Sequence, residues 1–195
     1  MTESTTPTIG VLAIQGDYAA HAEALREAGA EAVEIRKPDQ LDGLDGLILP
    51  GGESTTMLKF LKRHGLFESL QEFCGDRPVF GTCAGAILLA REVVNPPQSS
   101  LKLLDATVER NAYGRQIDST ILTGETELPG GPLEMVFIRA PRIIETGPEV
   151  EILARRDGYP VLVKQGKIMA ATFHPELSSD RRVHRLFVEM VKHES

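Results

Sequence analysis

The first half of the sequence alternates short apolar runs with amphipathic helical patterns, and this alternation restricts the fold more than any other feature. Strands are predicted at 8–15, 31–36, 46–50 and 78–81, and helices at 17–29, 55–64 and 66–74. Asp17 and Gly29 are expected to cap the first helix. Alternating strands and helices predict a twisted parallel sheet with helices on both faces. We therefore expect a three-layer, flavodoxin-like α/β fold.

The second half, after Arg91, is rich in strand-like segments with little helix between them. We expect these segments to add antiparallel strands to the same sheet or to its edge. A hairpin turn is predicted at Gln165–Gly166 and a last amphipathic helix at about 180–192. With 195 residues in all, we predict a single domain over 8–195 after a disordered polar segment, 1–7.

Composition excludes several classes of partner. The chain has 21 Lys and Arg against 28 Asp and Glu, a net charge of -7, so it has no basic field for nucleic acid or an anionic membrane. No apolar run approaches the ~18 residues that span a bilayer, and we expect a soluble, cytoplasmic protein. The two cysteines, Cys74 and Cys83, are too few for a disulfide framework and fit no common metal-ligand spacing, so no metal site is predicted.

Cys83 lies in the sequence "GTCAG", between a predicted strand and a predicted helix. A glycine two residues before and another two residues after allow the sharp turn of a nucleophile elbow, with sulfur in place of a serine oxygen. Such a turn would place the thiol at a helix N-terminus, where the dipole favours thiolate. Unpaired cysteines are also among the most buried residues, so a packing role stays open until a base is found.

The best candidate base is His174, in "TFHPEL" just after a predicted strand. Residues i and i+2 of an extended segment point to one side, so Glu176 is expected to orient the imidazole of His174. A strand-end histidine beside a surface acid is the open alternative. The remaining histidines, His21, His64, His184 and His193, fall in predicted helices with polar neighbours and are interpreted as surface residues.

A third strand-end feature is "LPGGESTT", at 49–56, where Gly51 and Gly52 let backbone N–H groups turn towards a ligand. Ser54 is expected to cap the helix that follows. By itself the segment is better explained as a plain strand-to-helix turn. The carboxyl ends of parallel strands share one edge of a sheet, however, so this segment, Cys83 and His174 are expected to converge on one crevice.

These three segments together resemble the class I glutamine amidotransferase family, in which a Cys-His-Glu triad hydrolyses glutamine. Within it, "GGESTT", "RNAYGRQ" at 110–116 and "FIRAP" at 137–141 are similar to the glutaminase subunits of pyridoxal 5'-phosphate synthases. The resemblance implies catalysis by Cys83, His174 and Glu176, with an oxyanion hole from the backbone of Gly51, Gly52 and Ala84. It also implies a glutamine-binding set comprising Gly52, Glu53, Ser54, Arg110, Ile138 and Arg139.

The resemblance further implies a partner, a pyridoxal 5'-phosphate synthase subunit that receives the ammonia within a large hetero-oligomeric complex. No cofactor is expected, because pyridoxal phosphate is the product of the whole complex. Docking is expected around 15–17 and the following helix, and is expected to organise the oxyanion donors. The alternatives are another amidotransferase glutaminase, a cysteine peptidase on the same elbow, and a non-catalytic flavodoxin-like module.

Overall fold

The computed structural model describes residues 6–112 and 119–194. In chain order its strands and helices are β1 (Thr8–Leu12), α1 (Tyr18–Glu27), β2 (Glu31–Ile35), β3 (Gly46–Leu49), α2 (Ser54–Arg63), α3 (Leu66–Asp76), β4 (Val79–Thr82), α4 (Ala84–Leu89), β5 (Ala90–Val94), β6 (Leu104–Glu109), β7 (Thr120–Gly124), β8 (Leu133–Phe137), β9 (Arg142–Thr146), β10 (Glu151–Arg156), β11 (Tyr159–Gln165), β12 (Ile168–Ala171) and α5 (Arg182–Glu194). Short 3-10 turns cover Pro38–Leu41 and Pro175–Leu177. Among these helices, none combines the length and the apolar character needed to cross a bilayer.

Among the described residues, the main sheet has seven strands in the order β10-β11-β12-β4-β3-β1-β2. From β2 to β12 the neighbours are parallel, and β12, β11 and β10 are joined by antiparallel pairing. The parallel part has the strand order of flavodoxin-like folds. The predicted α/β class, with antiparallel strands added at one edge, is confirmed.

Successive residues of the central strands pack on opposite sides of the sheet. Leu47 and Leu49 of β3 belong to the core shared with α2 and α3, whereas Ile48 belongs to the core shared with α1 and α5. Side chains alternate between the two faces of a strand, so a strand buried on both faces must be apolar throughout. This is why "GLIL" at 46–49 lacks any polar residue.

Two smaller sheets lie outside the main one. β5, β6 and β9 form a three-stranded sheet, and β7 and β8 form a two-stranded hairpin. The expectation that every strand of the second half joins the main sheet was therefore wrong for β6, β7 and β8, and β5 and β9 were not predicted. The composition of a strand indicates how deeply it is buried but not which strand it pairs with, because backbone hydrogen bonds can pair any two strands of compatible shape.

Local signals were confirmed in part. Gly29 follows α1 with φ 89°, and Gly166 turns between β11 and β12 with φ 54°. Asp17 precedes α1 but makes no side-chain capping bond. Ser54 is not the cap of α2, because the carboxylate of Glu53 accepts the capping N–H groups instead. Of the predicted disordered segment, residues 1–5 lie outside the described residues, whereas Pro7 is buried and its carbonyl accepts the Glu31 N–H at 2.9 Å.

Candidate active site

Cys83 occupies a sharp corner between β4 and α4. Its φ of 49° is rare for a residue with a side chain, and its N–H donates to the Ala171 carbonyl at 2.8 Å. The glycines on either side are required by close backbone contact. A Cβ on Gly85 would lie 1.9 Å from the Leu49 carbonyl oxygen, and one on Gly81 would lie 2.6 Å from the Gly85 backbone. The strain at Cys83 is thus fixed by the packing of its neighbours.

The ends of β3, β4 and β12 meet at this corner, as the three strand-end motifs predict. A Cβ on Gly51, just after β3, would lie 2.6 Å from the His174 ring and 3.5 Å from the Cys83 Cβ. Cys83 itself is 7% exposed, and its Sγ lies 4.0 Å from the Ile138 carbonyl oxygen. The thiol is therefore almost fully enclosed, and we call the segment 81–85 together with Gly51 the base of the site.

His174 and Glu176 are both buried and in direct contact. The Nδ1 of His174 lies 2.7 Å from Oε1 of Glu176, and the His174 N–H donates to the Val136 carbonyl at 2.8 Å. The expected extended geometry is wrong, since Pro175–Leu177 forms a 3-10 turn that folds the carboxylate back onto the ring. The contact with β8 then fixes the imidazole relative to Cys83.

The environment of His174 favours its charged form. Burial lowers the pKa of His174, but hydrogen bonds with Cys83 and Glu176 outweigh burial and raise it to about 10. A proton on this imidazole is therefore retained at neutral pH, beside sulfur and carboxylate groups that its charge stabilises. This arrangement suits a group that must donate a proton to a leaving amine.

Glu53 and Arg110 form a more exposed pair of charges, which we call the outer part of the site. Glu53 accepts the Thr55 and Thr56 N–H groups at 3.0 and 2.8 Å, and Arg110 donates to the Thr55 hydroxyl at 2.7 Å. Partial burial raises the pKa of Glu53, but the hydrogen bonds from Thr56 and Thr55 lower it to about 2. Arg110 lies 3.5 Å from this carboxylate, so the two charges are held side by side.

The other residues expected to bind glutamine differ from one another in burial and in their hydrogen bonds. Ser54 is buried and its hydroxyl donates to the Gln98 side chain at 3.1 Å. Gly52, with φ 134°, precedes Glu53, whose N–H donates to the side-chain amide oxygen of Gln15 at 2.8 Å. Ile138 is half-buried beside Cys83, whereas Arg139 is exposed with φ 46°.

Ala84 is fully buried as the first residue of α4. Most of the "RNAYGRQ" motif, from Tyr113 on, lies outside the described residues.

Within the described chain, one group of side chains has the spacing of a metal site. Asp17, His174 and Glu176 offer ligand atoms that all lie within 4.8 Å of one another. The Nδ1 of His174 already contacts Glu176, however, and a metal there would compete with the triad geometry. The absence of a metal stays a prediction.

Comparison with known proteins decides the family. The model of the SNO glutamine amidotransferase family matches residues 11–193. The chain belongs to this family. It is 61% identical over 184 residues to "Pyridoxal 5'-phosphate synthase subunit PdxT" of Koribacter versatilis, covering 94% of this chain and 95% of the relative. It is 56% identical over 186 residues to the PdxT of Thermotoga neapolitana, covering 94% and 99% of the two chains.

Solved structures agree with the family and the fold. A chain described as a glutamine amidotransferase superposes with a TM-score of 0.87 at 49% identity, covering 94% of this chain and 98% of that one. The PurLQS structure from Thermotoga maritima matches with a TM-score of 0.69 at 17% identity, covering 97% of each chain. The second likeness concerns the fold alone.

Two histidines of this amidotransferase were wrongly interpreted from the sequence. His64 and His193 are exposed as expected, but His21 and His184 are fully buried behind Glu176. Helical spacing could have revealed both. His21 is one turn from Leu25, and His184 lies on a stripe with Phe187, Val188 and Val191 that is buried throughout. The charged neighbours Arg182 and Arg185 were the misleading signal for His184. His21 is flanked by Ala20 and Ala22, so its neighbours gave no support for a surface position.

Proposed function

We propose that this protein hydrolyses L-glutamine to L-glutamate and ammonia through a Cys83-His174-Glu176 triad. The observation that carries the proposal is the 2.7 Å contact between His174 and Glu176, placed beside a cysteine on a strained strand-to-helix corner. A nucleophile, a base and an orienting acid in this order are the parts that acyl transfer from an amide requires.

In the first half of the reaction, the Cys83 thiolate attacks the side-chain amide carbon of glutamine. A carbon–sulfur bond forms, and the carbonyl electron pair moves onto oxygen, where the N–H of Ala84 and one from Gly51–Gly52 would stabilise it. The protonated His174 donates its proton to the amide nitrogen. The carbon–nitrogen bond then breaks, and ammonia leaves a γ-glutamyl thioester.

In the second half, the now neutral His174 takes a proton from water as the water oxygen attacks the thioester carbon. The carbon–sulfur bond breaks and the thiolate is restored, and the new γ-carboxyl group loses its proton to solvent as glutamate leaves. His174 again carries the proton with which the cycle began, and the raised pKa of about 10 makes this charged resting state the favoured one. No metal or organic cofactor enters either half.

Free glutamine carries two charges that distinguish it from a peptide. Its carboxylate suits an arginine, and Arg110 is already positioned by Thr55 and Glu53. Its ammonium suits Glu53, which keeps its negative charge at neutral pH because of its low pKa. We assign the remaining binding contacts to the backbone and side chains of Gly52, Ser54, Ile138 and Arg139.

Ammonia is a nucleophile only while it is unprotonated, so a glutaminase of this kind should pass it directly to a second protein. We assign that role to a pyridoxal 5'-phosphate synthase subunit in a large cytoplasmic hetero-oligomer. The 61% identity to a chain named as a subunit of that synthase supports this assignment. Docking around 15–17 would act on Gly51–Gly52, because a Cβ on Gly16 would lie 2.1 Å from the Gly51 carbonyl oxygen.

The test is ammonia release from glutamine with and without a matched synthase subunit. Cys83→Ala is expected to lower kcat by at least about 10³-fold, the scale of losing a nucleophile. The matched control is Cys74→Ala. Cys74 is buried in α3, where burial raises the pKa of its thiol to about 12, so this variant should keep full activity.

Two results would contradict the proposal. Ammonia release that survives Cys83→Ala would exclude the triad, and hydrolysis of peptides in preference to glutamine would indicate a peptidase. Equal rates with and without the synthase subunit would leave the triad intact and remove the role assigned to docking.

A further inference from the structure

A chain of buried polar side chains continues behind Glu176, away from Cys83. The second carboxylate oxygen of Glu176, Oε2, lies 3.3 Å from Nε2 of His21. The same nitrogen lies 3.1 Å from the Thr82 hydroxyl, and the Nδ1 of His21 lies 3.0 Å from Nε2 of His184. All four side chains are nearly or fully buried. The triad is thus continued by two imidazoles that the proposed mechanism does not use.

Packing alone does not account for two imidazoles at these positions. They lie on the buried stripes of α1 and α5, and both rings stand edge-on to Phe80, at centroid distances of 6.5 and 6.2 Å. Apolar side chains would fill the same space without the cost of removing ring nitrogens from water. The ring nitrogens of the two imidazoles therefore require polar partners, and the charged group that they face is the carboxylate of Glu176.

The ionised carboxylate of Glu176 determines which nitrogen of each buried imidazole carries hydrogen. Oε2 of Glu176 has no hydrogen-bond partner among the described residues and lies 3.3 Å from Nε2 of His21, so an unprotonated Nε2 would set a lone pair against a negative charge. With hydrogen on that nitrogen, Nδ1 of His21 is the acceptor and His184 donates to it through Nε2. The atom left over at the far end, Nδ1 of His184, is then an acceptor and not an unpaired N–H.

Both imidazoles are also kept uncharged by their surroundings. Burial, and then the nearby His184 and His174, lower the pKa of His21 well below its usual value. Burial, and then the charge of Arg181, lower the pKa of His184 to about 3. A neutral donor orients a carboxylate without cancelling its charge, and this matters because His174 needs that charge.

We propose that His21, held in one tautomer by His184, is a positioning residue whose Nε2–H is shared between the Thr82 hydroxyl and Oε2 of Glu176, and that this electrostatic contact fixes the carboxylate that orients His174. This inference rests on the proposed glutaminase reaction. Because the carboxylate would be held at both oxygens, His174 keeps a single ring orientation while its Nε2 exchanges a proton with sulfur, ammonia and water. His21 itself touches neither substrate nor sulfur.

The test measures steady-state glutaminase kinetics of the complex with the synthase subunit. His21→Leu fills the space without a donor, and kcat is expected to fall by about 10- to 100-fold, as for the loss of a hydrogen bond to a charged group, while KM changes less than about threefold. His21→Gln restores an N–H donor near the position of Nε2 and should recover kcat to within about fivefold of wild type. His184→Leu frees the tautomer of His21 and should give an intermediate loss.

A double-mutant cycle and a stability control separate positioning from simple packing. In a Glu176→Gln background, His21→Leu should lower kcat by less than about twofold, because the group it positions is gone. Val188→Ala truncates the buried stripe of α5 beside the histidines and should lower the melting temperature but not kcat. A wild-type kcat in His21→Leu would overturn the inference. So would a loss of kcat in the double variant that equals the product of the losses in the two single variants.

A measurement without turnover keeps this inference distinct from the proposed function. Nitrogen-15 NMR of the imidazoles should show hydrogen on Nε2 of both His21 and His184 at pH 7. Hydrogen on Nδ1 of His21 would overturn the inference even if the enzyme is a glutaminase. If the wild-type complex releases no ammonia, the proposed function fails whatever the tautomers are.

Discussion

The base of the active site and its outer part are held in place by different kinds of contact. At the base, the segment 81–85 and Gly51 approach other atoms so closely that no side chain fits at the glycines. In the outer part, Glu53 and Arg110 are held by side-chain hydrogen bonds, and Arg139 is exposed. The base is thus rigid because of backbone packing, whereas the outer part is a set of adjustable charges. This division suits a site whose chemistry is fixed and whose substrate must enter and leave.

Adding one methyl group at the base of the site is expected to have the largest effect on stability. Gly85→Ala would place Cβ 1.9 Å from the Leu49 carbonyl oxygen, and backbone cannot move aside cheaply. We expect a loss of about 3 kcal/mol in the free energy of unfolding, measured by urea denaturation. The matched control is Gly75→Ala in α3, where no atom of the described residues lies within 4 Å of the new Cβ. That variant should gain about 0.5–1 kcal/mol from helix propensity. Equal stabilities of the two variants would refute a base fixed by backbone contact.

In the outer part, the two arginines are expected to differ. Arg110 is 15% exposed and positioned by Thr55 and Glu53, so its guanidinium loses little freedom on binding a carboxylate. Arg110→Lys should raise KM for glutamine by about tenfold, with kcat within about twofold. Arg139→Lys, at an exposed residue, should raise KM by no more than about twofold. A larger effect at Arg139 would assign the carboxylate to that residue.

The smallest expected effect concerns the cap of α2. Glu53→Ala removes the acceptor of two N–H groups and should cost about 1 kcal/mol at pH 7. Glu53 is 52% exposed, so solvent screening keeps its charge contribution small. Its pKa is lowered in the folded state, so this contribution is present above about 4.5 and is lost as the pH falls towards about 2.

Urea denaturation of Glu53→Ala and wild type at pH 7 and pH 3.5 checks this sign. The difference between the two proteins should narrow at the lower pH. Glu72→Ala, on the exposed side of α3, should stay within about 0.5 kcal/mol of wild type at both values. A difference that widens on acidification would show that Glu53 does not act through its charge.

The motifs that build the site could be recognised in the sequence because each consists of a few neighbouring residues. "GTCAG", "PGGES" and "HPE" follow strands, and parallel strands in a flavodoxin-like order bring their carboxyl ends to one edge. The contact of His174 with Glu176 was also expected, although the backbone reaches it through a 3-10 turn. In each case a few neighbouring residues carry both the chemistry and the turn that presents it.

The contacts between distant segments could not be found in this way. Glu53, and not Ser54, caps α2, and the hairpin of β7 and β8 supplies the Ile138 carbonyl beside Cys83. Which strands pair, and which of two adjacent polar residues turns inward, depends on surfaces that exist only after the chain has folded. The alternating burial of β7 and β8 fits an edge strand of the main sheet, such as β10, as well as it fits a separate hairpin.

The sequence by itself determined the α/β architecture and the elbow at Cys83, because hydrophobic period and glycine placement act over a few residues. It also determined the identity of the three groups proposed as the triad. Only the tertiary structure decided that His21 and His184, 163 positions apart, meet within 3.0 Å behind Glu176. Their helices pack on one face of the sheet, and burial there removes the water that would otherwise satisfy the rings. The polar groups that remain beside those rings are each other, the Thr82 hydroxyl and the carboxylate of Glu176.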